Sequence, residues 1–211
     1  MFEKMKQDIN AILEHDPAAR NGFEVFFLYS GYKAIRSHRV AYWLHNHKFY
    51  FLARWVSQAS RHRTGIEIHP AAKIGRGVLI DHGMGVVIGE TAEVGDGCVI
   101  YQGVTLGGTG KDKGKRHPTL GKNVMVGAGA KILGPFTVGD NSKIAANSVV
   151  LQEIPPNSTA VGSPARIVRR EGMRVDPILD QVHIPDPIAQ QICRIEARIN
   201  KIDKKLEDEN K

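Results

Sequence analysis

From Ile66 onward, branched apolar residues return every six positions: Ile68, Ile74 and Ile80, then Ile88, Val94, Ile100 and Leu106. After an interruption the beat resumes at Leu120, Val126, Ile132, Val138, Ile144 and Val150. Two residues before these positions stand mostly small or apolar groups, among them Ala72, Ala92, Cys98, Val104, Ala130, Ser142 and Ser148. A glycine commonly follows the beat, as at Gly75, Gly89, Gly95, Gly107, Gly121, Gly127 and Gly139. A period of six suits neither a helix nor alternation along a long strand. It suits short strands joined by tight corners, each repeat forming one flat side of a coil. Stacked coils bury the branched side chains in a continuous narrow core, and the glycines are expected to relieve backbone conformations that a Cβ would strain. The pattern predicts a mainly β chain, with a parallel β-helix over residues 66–165 and an excursion at 108–119, where Gly107-Gly108-Thr109-Gly110-Lys111 through Arg116-His117-Pro118 breaks the beat. A coil corner cannot absorb that segment, so it is expected to leave the prism as a mobile loop on the functional face.

Ahead of the repeats, residues 1–65 read as an α-helical subdomain. Met5, Ile9, Ile12 and Leu13 fall at helical spacing before Asp16-Pro17 breaks the run. A second helix is expected over 31–46 and a third over 48–62, where Phe51, Leu52, Trp55, Val56 and Ala59 make one apolar packing stripe. After an irregular connector at 166–187, residues 188–208 carry a different beat. Ile188, Ile192, Ile195, Ile199, Ile202 and Leu206 form an unbroken heptad seam, predicting a C-terminal coiled-coil helix. Isoleucine at both seam positions favours three or four strands over two, and Arg198 and Asp203 can pair across neighbouring helices. A homotrimer, alone or as a dimer of trimers, is the expected assembly.

Composition narrows the classes of partner. The formal charge of +7 is scattered, without a long basic run or an aromatic stacking motif, so nucleic acid is not the expected partner. Cys98 and Cys193 suggest neither a disulfide framework nor a zinc site. No stretch approaches a membrane span, and Glu3, Asp8 and Asn10 interrupt the first apolar residues. A cytoplasmic protein away from membranes is expected, with no bound cofactor or metal.

Chemistry is sought where polar residues cost the repeat its regularity. Ile80-Asp81-His82-Gly83-Met84-Gly85 and Lys115-Arg116-His117-Pro118 are two such places. Histidine is the natural base near neutral pH. Glu67, one strand earlier, is placed to orient His82, while Asp81 and Arg116 offer the opposite charges that suit the ammonium and carboxylate of a zwitterion. His82 and His117 stand far apart along one prism, so side-by-side packing of subunits is the expected way to bring them together.

At these residues the chain resembles the bacterial serine acetyltransferases, through Ile68-His69-Pro70-Ala71-Ala72-Lys73-Ile74-Gly75, Asp81-His82-Gly83, Val87-Ile88-Gly89-Glu90-Thr91, Val104 to Lys111 and Arg116-His117-Pro118. The similarity covers about residues 8–170. It implies that the β-helix of hexapeptide repeats is left-handed, and that acetyl-CoA is the co-substrate that acetylates the hydroxyl of L-serine. It implies His82 as general base, Glu67 as its orienting carboxylate where the family commonly has Asp, and His117 beside them. Asp16, Asp81, Glu90, Arg116 and His117 would then hold serine, and Gly108, Thr109, Ala128, Lys143 and Arg166 would line the CoA site. Family members are often inhibited by L-cysteine. They also often dock cysteine synthase through a terminal Ile, whereas this sequence ends Glu209-Asn210-Lys211, so that docking is not expected. Three other readings stay open: another hydroxyl acceptor such as a sugar or homoserine, a zinc lyase on the same prism, and a scaffold that binds a partner.

Overall fold

The computed structural model describes residues 2–110 and 113–170, together with Ile195 and Ile199, both helical and exposed. The connector and nearly all of the heptad seam lie outside the described residues. Four helices come first: α1 (Phe2–His15), α2 (Gly22–Leu28), α3 (Ser30–Asn46) and α4 (Tyr50–Thr64). The short α2 was not anticipated. Its seven residues show no helical period, but Asn21 caps it by accepting the Glu24 N–H at 2.9 Å.

The repeats then wind as coils. The first coil holds β1 (Glu67–Ile68), β2 (Lys73–Ile74) and β3 (Leu79–Ile80), and the second holds β4 (Val87–Ile88), β5 (Glu93–Val94) and β6 (Val99–Ile100). The third holds β7 (Thr105–Gly107), β8 (Thr119–Leu120) and β9 (Met125–Val126). The fourth holds β10 (Lys131–Leu133), β11 (Thr137–Val138) and β12 (Lys143–Ile144), followed by β13 (Val149–Val150). Every third strand pairs in parallel, giving three faces. Face 1 is β1-β4-β7-β10-β13, face 2 is β2-β5-β8-β11, and face 3 is β3-β6-β9-β12, extended by the antiparallel pair β14 (Ser158–Gly162) and β15 (Ala165–Arg170). Each beat residue is the second residue of its strand. Registers such as Ile68↔Ile88, Ile88↔Leu106 and Leu106↔Ile132 stack the beats directly. The beat side chains are buried except Ile74, which is half-buried in the first coil.

The glycines after the beat serve a different purpose from the one expected. Gly95 does not have the left-handed backbone found at Gly97, yet a Cβ on it would lie 2.6 Å from the carbonyl carbon of Gly121 and closer to its oxygen. The next coil, rather than the residue's own torsions, excludes a side chain there.

Helices α1, α3 and α4 seat on the first coil. A Cβ at Gly31 would overlap the Ile80 carbonyl, so α3 approaches β3 as closely as backbones allow. Buried Asp8 accepts from Arg39 at 2.7 Å and from the Gly77 N–H at 2.9 Å, while Arg39 also donates to the Gly75 carbonyl at 3.1 Å. The expected stripe on α4 is corrected by the structure. Phe51 is 81% and Trp55 64% exposed, and the buried side is instead Ala53, Ser57, Ser60 and Thr64. Small side chains permit close contact, and Ser57 Oγ donates to the Ile68 carbonyl at 2.7 Å. Among the described residues, no helix is long and apolar enough to cross a membrane.

Candidate active site

The candidate residues gather along two prism edges. At the edge between faces 3 and 1, the chain takes an enlarged corner from Ile80 to Val87, because two extra residues stretch the six-residue spacing. His82 occupies the left-handed region at φ 57°, uncommon for a residue with a Cβ, and is followed by Gly83 at φ 74°. That turn lifts the imidazole outward, leaving its side chain 74% exposed, with Nε2 4.0 Å from Asp81 Oδ1. Glu67 heads β1 at the same edge, where its Oε2 lies 3.3 Å from Arg61 Nε. The helical subdomain adds Asp16, which accepts from Tyr29 Oη at 2.7 Å and from the Ala18 N–H at 2.8 Å. Burial, and then the bond to Asp16, push the Tyr29 hydroxyl up to about 12, with Asp81 close enough to add to the effect. Tyr29 therefore stays a neutral donor that fixes the Asp16 carboxylate. Around His82 this edge gathers three carboxylates, Asp16, Glu67 and Asp81, against one neighbouring cation, Arg61.

The edge between faces 1 and 2 carries the opposite character. The excursion leaves β7 after Gly107 and returns at Thr119, and its returning end is held rather than free. Lys115 Nζ donates to the Thr91 carbonyl at 2.8 Å and to Thr119 Oγ1 at 2.7 Å. Arg116 bonds Glu90, which holds that carboxyl below its usual range. His117 is 8% exposed, and burial followed by the neighbouring Arg116 charge lowers its pKa, favouring the neutral ring. Its imidazole lies against two glycines. A Cβ at Gly89 would overlap the Cδ2–Nε2 edge of the ring and lie 2.9 Å from Cε1, and one at Gly108 would lie 3.2 Å from Nε2. His69 stands in the first coil at the same edge, its pKa lowered by burial and then by Arg54, with Glu90 and His117 also in electrostatic reach. Among the described residues, no group of three or more His, Cys, Asp and Glu side chains is placed to hold a metal ion.

One protomer thus brings Asp16, Asp81, His82 and Glu67 together at one edge, and Glu90, Arg116 and His117 at another. The expected CoA residues are spread more widely. Gly108 and Thr109 begin the excursion, whereas Ala128 sits at a corner between faces 3 and 1 and Lys143 and Arg166 lie on face 3.

Comparison with known proteins identifies this arrangement. Residues 1–37 match the family model "Serine acetyltransferase, N-terminal", and residues 117–152 match "Bacterial transferase hexapeptide (six repeats)". The chain is 54% identical over 210 residues to the serine acetyltransferase of Synechococcus elongatus, covering 100% of this chain and 86% of that protein. This chain belongs to the serine acetyltransferase family. It is also 53% identical to the Bacillus subtilis serine acetyltransferase, over 98% of this chain and 95% of that one. Among solved structures, a serine acetyltransferase in complex with cysteine superposes with a TM-score of 0.83 at 42% identity, over 86% of this chain and 71% of that chain. The Brucella abortus serine acetyltransferase in complex with coenzyme A gives 0.79 at 44% identity, over 82% and 69% of the respective chains. The prism is accordingly the left-handed β-helix of this family.

Sequence reasoning missed Tyr29 and Thr91 as parts of the site. Tyr29 has no signal in the repeats, because it reaches Asp16 from the helical subdomain. Thr91 follows Glu90 directly in the chain, but what it does depends on a contact across 26 residues.

Proposed function

We propose that this chain transfers the acetyl group of acetyl-CoA to the hydroxyl of L-serine, releasing O-acetyl-L-serine and CoA, with His82 as general base. His82 takes the proton from serine as its oxygen attacks the thioester carbonyl. Collapse of the tetrahedral adduct breaks the carbon–sulfur bond, and the departing thiolate recovers the proton from His82. Asp81 and Glu67 orient and stabilise the imidazolium. Asp16 and Asp81 face the substrate ammonium, and Arg116 the carboxylate, while His117 donates from its ring to a substrate oxygen. Glu90 sets the direction of Arg116. Gly108, Thr109 and Ala128 flank the pantetheine arm, with Lys143 and Arg166 toward the phosphates.

The observation that carries this reading is the division of charge. Serine is a zwitterion, and the acidic edge with His82 and the basic edge with Arg116 are complementary halves of a site for one. In a threefold assembly, the edge between faces 3 and 1 of one protomer meets the edge between faces 1 and 2 of the next, so each interface completes one site. The Ile-rich heptads support the same count of chains. L-cysteine presents the same ammonium and carboxylate as serine, which supports inhibition through these half-sites. The free, buried Cys98 thiol suits a reducing cytoplasm.

The test measures CoA release from acetyl-CoA with serine, homoserine, threonine and simple sugars, for the parent and for His82→Ala. Serine-dependent release that falls by orders of magnitude in the variant supports the reading. Preference for another acceptor, or full activity without His82, overturns it.

A further inference from the structure

His117 approaches the site as a neutral ring, and what such a ring can do depends on which nitrogen carries its proton. Thr91 decides this by counting. Its Oγ1 lies 3.0 Å from the Arg116 N–H nitrogen and 3.0 Å from that of His117. A hydroxyl has two acceptor sites and one proton to donate. Both acceptor sites are taken by backbone donors, so the proton remains for the third neighbour, His117 Nδ1, at 2.9 Å. The Thr91 backbone N–H also points at Nδ1, at 3.3 Å. Two donors converge on Nδ1, which must therefore accept, and the ring proton resides on Nε2, the nitrogen beside Gly89 and Gly108.

We propose that Thr91 is a positioning residue that sets both the place and the tautomer of His117, presenting Nε2–H as a fixed donor to the substrate. The same oxygen that orients the ring also closes the returning end of the excursion, so the backbone of Arg116 is registered on the second coil by the contact that fixes His117. This rests on the reading of His117 as a substrate-facing donor, while the tautomer itself does not depend on which acceptor is used.

The experiment uses the full-length protein labelled with 15N-histidine. Long-range proton–nitrogen spectra distinguish protonated from unprotonated ring nitrogens, and serine-dependent CoA release is measured in parallel. In the parent, His117 shows an unprotonated Nδ1 and a protonated Nε2. Thr91→Val keeps the shape and removes the hydroxyl, leaving only the longer backbone donor at 3.3 Å on Nδ1, so the tautomer with the proton on Nδ1 gains population and kcat/KM falls roughly tenfold, as loss of a fixed hydrogen bond implies. Thr91→Ser restores the parental pattern and most of the rate. A proton on Nδ1 in the parent overturns the proposal, as does a Thr91→Val protein with the parental spectrum and rate. If Thr91→Val does not fold, the parent and Thr91→Ser spectra decide alone. A parental spectrum as described without any serine-dependent CoA release upholds the tautomer and rejects the serine reading instead.

Discussion

Replacing Gly89 with alanine inserts a single methyl group where the His117 ring now lies. The new Cβ would sit 2.9 Å from Cε1 and nearer to Cδ2 and Nε2, well inside contact distance. Restoring ordinary separation displaces the imidazole by roughly 1.5 Å, while Thr91 holds the other side of the ring at Nδ1. A misplacement of about that size costs on the order of a hundredfold in rate when it disturbs groups that must meet a reacting centre. Such a rate loss corresponds to about 2.7 kcal/mol, whereas the stability cost should fall near the lower end of the roughly 1–3 kcal/mol of overpacked sites, because the yielding partner is a side chain. Gly95→Ala is the matched comparison. There the Cβ meets the Gly121 carbonyl in the next coil, a backbone group that cannot swing away, and no proposed site residue stands beside it. Steady-state CoA release with serine, together with urea unfolding, should show Gly89→Ala losing activity out of proportion to stability and Gly95→Ala the reverse. A Gly89→Ala protein with the parental kcat/KM would refute the argument that the ring position is set by this glycine.

Tyr29→Phe removes the hydroxyl that directs Asp16 at 2.7 Å; the KM for serine should rise roughly fivefold to tenfold with kcat less affected, as initial rates at varied serine will show. Asp8→Ala leaves Arg39 without its anion and the Gly77 N–H without its acceptor; the stability loss read from urea midpoints should be about 3 kcal/mol. Burial lowers the pKa of His38 from 6.5 to about 4, against a partly opposing bond to the Ala72 carbonyl. Below about pH 6.5 the unfolded chain takes up the proton and the folded chain does not, so this residue makes stability fall with pH until the folded ring titrates. Between about pH 7 and pH 5 its share is about 2 kcal/mol, and His38→Gln should flatten the measured slope.

The repeat was legible because burial in a narrow coil imposes its period on side-chain type: every beat from Ile68 to Val150 became the inward residue of a strand. The same logic misled at α4, where the large apolar residues face outward and Ser57 and Thr64 face in. Helix periodicity shows which residues share a stripe, but the distance of approach decides which stripe docks. His82 and His117 could be singled out because each interrupts the beat. Their assignment to separate edges required the coil to be closed, since it follows from which face each neighbouring strand joins. Tyr29 and Thr91 escaped notice for a related reason: each acts on a residue distant in sequence through one hydroxyl, and a hydroxyl leaves no mark on hydrophobic pattern.

The central claim is that His82 from one protomer and Arg116 from its neighbour complete each serine site, and subunit complementation tests it most directly. His82→Ala and Arg116→Ala chains, each inactive alone, are unfolded together in equal amounts and allowed to reassemble. In a ring of three protomers, random mixing places an intact His82 edge against an intact Arg116 edge at about one quarter of the interfaces. Serine-dependent CoA release in the mixture should therefore recover to about a quarter of the parental rate. A mixture of reassembled, mixed trimers no more active than either variant alone would contradict a site shared between chains.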